Sequence, residues 1–479
     1  MRKTKIVCTI GPASEDLETM KELMLAGMNV ARINFSHGSY KEQENRINIV
    51  KKAREELNLP VALLLDTKGP EIRIGKILDN YAMLEKGEIF TLVNDDILGN
   101  NKRVSITYKN LYKEVIKGTK ILINDGIIEL RVEEVVDKDI VCKVINGGPI
   151  TNRKSINVPD LNLQLPSLTE ADIQDIKYSV EAGFDFIAAS FVRKPQDVLE
   201  IKKVLKDNGG EHIKVISKIE NREGINNFDQ ILEVSDGIMV ARGDLGVEIP
   251  QEEVPILQKQ FIRKCNKAGK PVITATQMLE SMVENIKPTR AEVSDVANAI
   301  FDMTGAIMLS AESASGKHPV ECVKTMDKIA VTTENSIDYW NIFKTREYKL
   351  ENLEYKFNIN HAIVSTAMNM DAKAIYAYTD TGDTPRIISS FIPNCPIYAI
   401  LNNEQTYRQL ALSWNVYPKL YEKQKSIDSL MNLAIKKSIE NNEISENDKI
   451  VIAGGAEVVE STELNNYKIN RVIGGVVQI

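Results

Sequence analysis

A lysine and a glutamate stand two residues apart in the segment VISKIEN, residues 215–221, as Lys218 and Glu220. Side chains two positions apart on a β-strand point to the same face of the sheet. We therefore expect the ammonium and the carboxylate to face one common space at the end of a strand. Lys218 could form a Schiff base, stabilise an anionic transition state, or simply neutralise Glu220. The sequence leaves these three roles open.

A second carboxylate, Asp244, lies in ARGDLG, residues 241–246, where the next strand-like run ends. Together with Glu220 it forms a set of two carboxylates that Mg²⁺ would accept, with coordination positions left for substrate and water. Gly243 has no side chain, so a ligand could approach the backbone there. We interpret the two carboxylates as a divalent-metal site. The alternative is a solvated cluster of loop residues.

Arg32, Asn34 and Ser36 alternate along an earlier run, and Asp66 and Thr67 end the run after it. A guanidinium can hold a phosphate through two parallel hydrogen bonds. The side-chain oxygens of the other four residues would suit a monovalent or divalent cation. These residues therefore predict a phosphate clamp beside a cation site, although Arg32 alone could equally form a structural ion pair.

Two further runs end in hydroxyl or carboxyl side chains. Thr276 follows Thr274 in one of them, and Ser310 and Glu312 follow the last apolar run. Threonine is a common strand residue. These positions therefore indicate a functional site only if the runs converge on one place in the fold.

Convergence is what the pattern of the chain predicts, because eight apolar, β-branched-rich runs carry these residues at their ends. The runs are residues 5–11, 30–38, 61–69, 184–193, 213–221, 237–246, 271–278 and 305–313. Helical periodicity occupies segments between them, at 16–26, 42–57, 170–182, 254–267 and 291–301, with Ser14 and Thr169 as predicted caps. Runs that are apolar on both faces indicate parallel strands covered by helices. Eight such units predict an α/β fold, a (β/α)8 TIM barrel, with its active site at the C-terminal strand ends.

The barrel pattern is interrupted once and then ends. Residues 70–164 lack a helical period and contain short alternating runs between Gly-containing turns, which predicts an inserted all-β barrel domain. Such a domain at the catalytic end would act as a lid, with hinges near Pro70 and Pro166. The predicted barrel therefore comprises residues 1–69 and 165–340. Residues 341–479 form a separate α/β domain, with strand candidates at 375–379, 397–401, 449–453 and 471–479.

Composition excludes several classes of protein. The 479-residue chain has a net charge of -7 and no basic arm, which argues against a nucleic-acid partner. No run reaches the ~18 apolar residues of a membrane span, and the first residues open directly into a strand, so we expect a cytoplasmic protein with no membrane contact. The five cysteines form no CxxC pair. We expect them to be reduced, structural thiols.

Several of these segments resemble the pyruvate kinase family over all three parts of the chain, in the same order. The segments that carry the resemblance are KTKIVCTIGPAS (3–14), ARINFSHG (31–38), LDTKGPEIR (65–73), ISKIENREG (216–224), ARGDLGVEIP (241–250) and TATQMLE (274–280). The resemblance is strongest in the barrel and weakest at the C-terminus. It implies phosphoryl transfer from phosphoenolpyruvate to ADP, giving pyruvate and ATP, the last step of glycolysis.

The resemblance also implies a set of ions. Glu220 and Asp244 would hold Mg²⁺ or Mn²⁺. Potassium would be held by four residues: Asn34, Ser36, Asp66 and Thr67. In this family a glutamate after Gly-Pro in the third-strand motif resembles the K⁺-requiring members, and here that residue is Glu71. We therefore expect activation by K⁺.

Roles for the remaining residues follow from the same likeness. Lys218 would stabilise charge on the phosphoryl group in transit, which agrees with a reaction that depends mainly on positioning and neutralisation. Arg32 and Arg73 would be phosphate clamps, and Gly243 would lend its backbone near the substrate carboxylate, with Asp244 beside it. The nucleotide contacts would be Arg73, Lys154, Asn34 and His37. Thr276, Ser310 and Glu312 would belong to the route that protonates the enolate; the sequence does not decide which group delivers the proton.

The C-terminal domain resembles the family's domain for a sugar-phosphate effector only in part. The loop TDTGDT, residues 379–384, has the hydroxyls and glycine of a phosphate nest. Asp380 and Asp383 would repel a phosphate dianion, and the later segment 453–462 lacks a basic residue. Effector binding and a role in packing and subunit contact both remain open. The resemblance further implies a homotetramer.

Two other classes remain as alternatives. A metal-dependent or Schiff-base aldolase of similar barrel shape could use the same lysine and carboxylates, and borohydride trapping of Lys218 with substrate would favour it. A non-catalytic relative that binds an effector could keep the fold without turnover.

Overall fold

The computed structural model describes residues 1–345, 355–454 and 474–478. The chain opens with three strands separated by two helices, in strict alternation. These elements are β1 (Lys5–Thr9), α1 (Leu17–Ala26), β2 (Val30–Asn34), α2 (Tyr40–Leu57) and β3 (Ala62–Asp66). Helix α1 begins at Asp16, whose carboxylate accepts a 2.9 Å hydrogen bond from the backbone N–H of Thr19. The predicted cap Ser14 is wrong, because its hydroxyl is bonded within the preceding turn, to Gly11.

Nine short strands follow and form the inserted domain. They are β4 (Ile72–Arg73), β5 (Ala82–Leu84), β6 (Ile89–Val93), β7 (Arg103–Ser105), β8 (Lys120–Ile123), β9 (Ile128–Val136), β10 (Asp139–Asn146), β11 (Gly148–Ile150) and β12 (Ser155–Asn157). Seven form one sheet in the order β4-β12-β8-β9-β10-β6-β7, and β11 pairs with β5. A bridge between Ile74 and Ile106 brings the two edges of the larger sheet together. The domain has its own apolar core, which includes Phe90 and Leu130.

The βα alternation then resumes. The strands are β13 (Phe186–Ala189), β14 (Lys214–Ile219), β15 (Gly237–Ala241), β16 (Val272–Ala275) and β17 (Ala306–Leu309). The helices are α3 (Glu170–Glu181), α4 (Pro195–Asp207), α5 (Arg222–Asn226), α6 (Phe228–Val234), α7 (Arg242–Glu248), α8 (Val254–Lys267), α9 (Arg290–Phe301), α10 (Ala311–Ala314) and α11 (Pro319–Glu334). Thr169 caps α3, as predicted, in a reciprocal capping box with Asp172.

Eight parallel strands close into a barrel in the order β1-β17-β16-β15-β14-β13-β3-β2, which confirms the predicted fold. Side chains inside the barrel form one buried cluster, which includes Leu64, Ile216 and Met239. A second and larger cluster fills the space between the strands and the surrounding helices, and it includes Ile33 and Val240. Strands buried on both faces explain why the runs were apolar throughout.

The strands are shorter than the predicted runs at their C-terminal ends. The sixth barrel strand stops at Ala241, so Asp244 lies in the short helix α7 and not at a strand end. The eighth stops at Leu309, and Glu312 lies in the short helix α10.

The C-terminal domain is a five-stranded sheet with helices. Its elements are α12 (Tyr339–Thr345), α13 (Tyr355–Asn369), β18 (Ala374–Tyr378), α14 (Asp383–Ser390), β19 (Ile397–Leu401), α15 (Glu404–Gln409), β20 (Val416–Leu420), α16 (Ile427–Glu440), β21 (Lys449–Ala453) and β22 (Gly474–Gln478). The strand order is β20-β19-β18-β21-β22, with β22 antiparallel. Strand β20 was missed because its sequence, VYPKL, contains a proline. Residues 346–354, and residues 455–462 of the segment that lacks a basic residue, lie outside the described residues.

Five short 3₁₀ helices connect these elements in the described ranges. They are Leu78–Asn80, Leu111–Lys113, Gln251–Glu253, Glu280–Val283 and Leu410–Leu412. All five cysteines are free and buried, as expected of structural thiols. In the part of the chain that the structure describes, no helix combines the length and apolar character needed to cross a membrane.

Candidate active site

The side chain of Lys218 lies at the centre of a buried polar cluster at the C-terminal end of the barrel. Its Nζ contacts Ser190 Oγ at 2.8 Å, Glu220 Oε1 at 2.9 Å and Asp66 Oδ1 at 3.2 Å. Lys218 is only 8% exposed. The structure thus brings together the lysine and glutamate that the two-residue spacing placed on one face, and it adds a carboxylate from strand β3.

Lys218 stays protonated in this environment. Burial by itself would lower the pKa of its amine, but the carboxylates of Asp66, Glu220 and Asp244 outweigh burial and raise that pKa above its ordinary value. A Schiff base requires the neutral amine as nucleophile. The geometry therefore favours Lys218 as a fixed positive charge.

Arg32 and Asp66 form a close ion pair beside this lysine. Arg32 Nε donates to Asp66 Oδ2 at 2.7 Å, and Arg32 Nη1 donates to Thr9 Oγ1 at 2.8 Å. Burial would raise the pKa of the Asp66 carboxyl, but Arg32 and Lys218 hold it below its usual value. A guanidinium has five N–H donors, so Arg32 can make this structural ion pair and still bind a phosphate.

Glu220 is almost fully buried, and both its oxygens are bonded. Oε1 contacts Lys218, and Oε2 accepts a 2.6 Å hydrogen bond from the backbone N–H of Phe191. Burial and the nearby carboxylate of Asp244 raise the pKa of Glu220 to about 7. The carboxylate of Asp244 thus acts electrostatically on that of Glu220, and a divalent cation would neutralise both.

The two carboxylates do not make a complete metal site by themselves. Within residues 1–345, 355–454 and 474–478, no three His, Cys, Asp or Glu side chains are grouped as a protein-only metal cage. A divalent ion here would take its other ligands from substrate and water, as ions that assist phosphoryl transfer do.

Of the residues expected to hold potassium, Asp66 and Thr67 belong to the same cluster, and Asn34 pairs with Asp66 on the neighbouring strand. Asn34 Oδ1 accepts a 3.0 Å bond from the N–H of Ser36, and the carbonyl of Thr67 accepts a 2.6 Å bond from Ser190 Oγ. A carboxylate offers about four lone-pair positions, and Asp66 shares its oxygens with Arg32, Lys218 and Ser190. A position is left for a cation, so these oxygens fit a monovalent ion.

Ser190 was missed by the sequence reasoning. It follows strand β13 directly and is 8% exposed, and its hydroxyl joins Lys218 to Asp66 and Thr67. The signal that could have found it was its position, since it is a polar residue at the end of a predicted barrel strand.

Thr276, directly after strand β16, is hydrogen-bonded to Gly243, which lies in helix α7. Thr276 Oγ1 accepts a 2.8 Å bond from the N–H of Gly243 and donates at 2.6 Å to the carbonyl of Ala275. Thr276 has a left-handed backbone, with φ of 68°. Arg242, also missed from the sequence, donates to the Thr276 carbonyl at 2.6 Å and pairs with Asp295 at 2.8 Å.

Glu312 ties two loops of the barrel mouth together. Its Oε1 accepts a 3.1 Å bond from the N–H of Leu279, and its Oε2 accepts a 2.7 Å bond from the N–H of Ser310. The residue has 0% exposure. With both oxygens committed to backbone amides, Glu312 is placed to hold the loops that follow strands β16 and β17.

The residues expected to meet the nucleotide lie on the inserted domain, at the end of β2 and in the loop after β2. Ser155, which follows Lys154, pairs with Arg73 across strands β12 and β4. Arg73 forms an ion pair with Glu71 at 2.7 Å and donates to the carbonyl of Arg153 at 2.7 Å. The side chain of His37 is exposed.

A cleft separates the inserted domain from the barrel mouth. Its lining includes Glu71, Ser155 and Asn157 from the insert, and Phe191 and Asp244 from the barrel. Asn157 Nδ2 donates to Glu248 Oε1 at 2.8 Å and so joins the insert to helix α7.

The return segment of the insert is anchored to the barrel. Arg193 donates to the carbonyls of Leu163, Leu165 and Pro166 at 3.0, 2.8 and 3.1 Å. Arg193 is 8% exposed. Pro166, near which the sequence places a hinge, belongs to this anchored segment.

A TIM barrel with a buried lysine, a guanidinium and carboxylates at its mouth, beside a cleft lined in part by a β domain, has the arrangement of an enzyme with its active site at the C-terminal strand ends. Comparison with known proteins identifies which one. The family model of the pyruvate kinase barrel domain matches residues 1–323, and that of the pyruvate kinase alpha/beta domain matches residues 358–470.

The similarity to individual pyruvate kinases extends over nearly the whole chain. A pyruvate kinase from Sporosarcina psychrophila is 48% identical over 99% of this chain and 81% of the relative. One from Clostridium acetobutylicum is 47% identical over 98% of this chain and 100% of the relative. A crystal structure of a pyruvate kinase from Cryptosporidium parvum has a TM-score of 0.91 at 38% identity, covering 95% of this chain and 94% of that one.

The chain belongs to the pyruvate kinase family. It is a phosphotransferase that passes the phosphoryl group of phosphoenolpyruvate to ADP, giving pyruvate and ATP in the last step of glycolysis.

Proposed function

We propose that the cluster around Lys218 is where the phosphoryl group passes from phosphoenolpyruvate to ADP. The observation that carries this proposal is a buried, protonated lysine held by three side chains beside Arg32. Phosphoryl transfer spreads negative charge over the equatorial oxygens of the group in transit. Lys218 neutralises that charge from a fixed position, and Arg32 holds the phosphate of the substrate before transfer.

Glu220 and Asp244 hold the divalent cation, Mg²⁺ or Mn²⁺, together with oxygens of the substrate. When bound, this ion supplies positive charge that neutralises the carboxylate and enolate oxygens of the substrate. Lys218, whose Nζ lies 2.9 Å from Glu220 Oε1, opposes the effect of burial on the pKa of this carboxyl and favours its ionised form. Gly243 lends its backbone to the carboxylate end of the substrate, beside Asp244.

Asn34, Ser36, Asp66 and Thr67 hold K⁺ next to the phosphate position. Glu71 supports this requirement, because its negative charge near the site leaves room for a monovalent cation, whereas a lysine ammonium could replace one. Replacing K⁺ by a large organic cation should abolish most activity, and Glu71→Lys should restore part of it. Full activity of the native enzyme without K⁺ would contradict the proposal.

Thr276 belongs to the route that protonates the enolate. Its hydroxyl lies between the Gly243 amide and the Ala275 carbonyl, at the barrel mouth. Ser310 contributes a second hydroxyl at the end of the neighbouring strand, and Glu312 holds both loops in register. The protonation makes the transfer towards pyruvate favourable.

The inserted domain closes over the cleft and brings Arg73 and Lys154 to the phosphates of the nucleotide, with Asn34 and His37 on the barrel side. Because Arg193 fixes residues 163–166 to the barrel, we place the point about which the inserted domain rotates before Leu163. Closure excludes water, which would otherwise compete with ADP for the phosphoryl group.

The assembled form is a cytoplasmic homotetramer. Exposed apolar side chains on the barrel helices, Ile256 on α8 with Val293 and Phe301 on α9, support a contact there between copies.

Binding of a sugar-phosphate effector to the C-terminal domain stays an open expectation. Thr379 accepts a 2.8 Å bond from the N–H of Gly382, as in a phosphate nest. Arg386 of α14, a cation beside this loop, already donates to Asp383 of the same helix at 3.5 Å.

The first test is pyruvate formation from phosphoenolpyruvate and ADP with Mg²⁺, with and without K⁺, for the native enzyme and for Lys218→Met. Activity that requires both ions and falls by about 10² or more in the variant supports the site. Native turnover that survives in Lys218→Met would place the chemistry elsewhere. Borohydride trapping of substrate on Lys218 would instead favour an aldolase.

A further inference from the structure

Phe191 has a backbone conformation that few aromatic residues adopt. It follows Ser190 at the end of strand β13, and its φ is +56°, in the left-handed region. For residues with a side chain this region is unfavourable because Cβ approaches the carbonyl oxygen. Such backbone strain persists only where the surrounding structure imposes it, and it is frequent at functional sites.

The strained backbone has one direct consequence for the candidate active site. It directs the N–H of Phe191 to Glu220 Oε2, at 2.6 Å, while Lys218 contacts the other oxygen at 2.9 Å. Two donors on two different oxygens determine the orientation of the carboxylate plane. The lone pairs that remain on Glu220 therefore point in defined directions.

The ring of Phe191 explains how the strain is maintained. A Cβ atom built on Gly69 would lie 2.9 Å from Phe191 Cδ2 and 3.0 Å from Ser190 Cβ. Only glycine at position 69 leaves space for the ring. Gly69 is itself held by a 2.9 Å bond from its N–H to Asp172 Oδ1, so the ring packs against an anchored segment of backbone.

We propose that Phe191 is a positioning residue for the divalent-cation site: its ring, packed against Gly69, holds a left-handed backbone whose N–H orients the Glu220 carboxylate towards the cation. This inference rests on the proposed role of Glu220 as a ligand of that cation. Hydrogen-bond partners of metal ligands typically change metal affinity by about 10- to 100-fold when they are lost.

The test compares substitutions that differ in their tolerance of this backbone. Phe191→Gly adopts a positive φ freely and keeps the N–H on Glu220. Phe191→Val is β-branched and disfavours that region, so its N–H turns away. Phe191→Tyr keeps the ring. Binding of Mn²⁺ is measured by electron paramagnetic resonance without substrate, so the result does not depend on turnover.

We expect the Gly and Tyr variants to bind Mn²⁺ within about threefold of the native enzyme, and the Val variant to bind it about tenfold more weakly or worse. Equal affinities for the Gly and Val variants, whether retained or lost, would overturn the proposal. If the Val variant does not fold, Phe191→Ala takes its place and should shift affinity in the same direction.

Two controls separate the possible causes. Met303 also has a positive φ, of 67°, but lies before strand β17 at the opposite end of the barrel. Met303→Gly and Met303→Val should leave Mn²⁺ affinity unchanged, and a loss in Met303→Val would show that strain anywhere weakens binding, against the proposal. Glu220→Gln tests the underlying assignment: native Mn²⁺ affinity in this variant would refute the proposed metal site itself, independently of Phe191.

Discussion

Asp185, the residue before strand β13, accepts a 2.9 Å hydrogen bond from Arg408 Nε of helix α15 and so joins the barrel to the C-terminal domain. The Asp185 side chain has 0% exposure, and its other oxygen accepts the N–H of Leu63 at 2.9 Å. Strand β13 ends at Ala189, immediately before Ser190 and the active-site cluster. The domain junction and the candidate site therefore lie at opposite ends of one short strand.

Removing Arg408 should destabilise the protein strongly. Arg408→Ala leaves the carboxylate of Asp185 buried without its main cation, and losing one partner of a buried pair costs about 3 to 5 kcal/mol. We expect a loss of this size in the free energy of unfolding measured with urea. The matched control is Lys324→Ala, because the Lys324–Glu321 pair is exposed and should contribute less than about 1 kcal/mol. Similar losses in both variants would contradict this reading of the junction.

Lys5 should make stability depend on pH. It is buried at the same junction, donates to the carbonyl of Val416 at 2.7 Å, and lies over the ring of Tyr417. Burial, with a further contribution from Arg2, lowers the pKa of Lys5 to about 7 from its model-compound value of 10.5. Between these two values the unfolded chain binds more protons than the folded protein, so the contribution of Lys5 to stability rises with pH.

The substitution Lys5→Met removes this dependence. We expect the native protein to gain roughly 2 to 3 kcal/mol of unfolding free energy relative to the variant between about pH 6 and about pH 9. Urea unfolding of both proteins across this range measures the difference. Lys41→Met, at an exposed position of α2, should show no such trend. A native-minus-variant difference that stays constant with pH would show that Lys5 does not titrate in this range.

Thr276 should matter for catalysis through its hydroxyl group. Thr276→Ala removes the hydroxyl and should lower kcat by about 10² with little change in the KM for phosphoenolpyruvate, as expected for a group that assists proton transfer. Thr276→Ser keeps the hydroxyl and should retain most of the activity. Steady-state kinetics with both variants tests this, and equal activity of Ser and Ala variants would exclude a proton-transfer role.

Arg193 should hold the return segment of the lid on the barrel. Arg193→Met removes three hydrogen bonds to the carbonyls of Leu163, Leu165 and Pro166. We expect faster proteolytic cleavage between residues 159 and 166 and a lower kcat, because the lid loses its anchor. Arg103→Met, at an exposed position of the insert, provides the control. Cleavage of both variants at the native rate would show that the segment is held by other contacts.

The sequence by itself determined the architecture and much of the candidate site, because both depend on local periodicity. Eight runs apolar on both faces predicted the parallel barrel, and a spacing of two placed Lys218 and Glu220 on one face of a strand. The same alternation placed Arg32 beside the oxygens that we propose bind the cation. These inferences need only the geometry of a single strand, so they could be made before any tertiary contact was known.

Tertiary structure decided what depends on neighbours distant in the chain. Ser190 and Phe191 reach Lys218 and Glu220 only because strand β13 lies beside β14 in the closed barrel. Asp244 and Glu312 lie on the short helices α7 and α10, and the sequence gave no sign of where strand pairing stops. The raised pKa of Lys218 likewise results from carboxylates on three separate segments of the chain, at residues 66, 220 and 244. Charge and burial of this kind exist only once the barrel has closed.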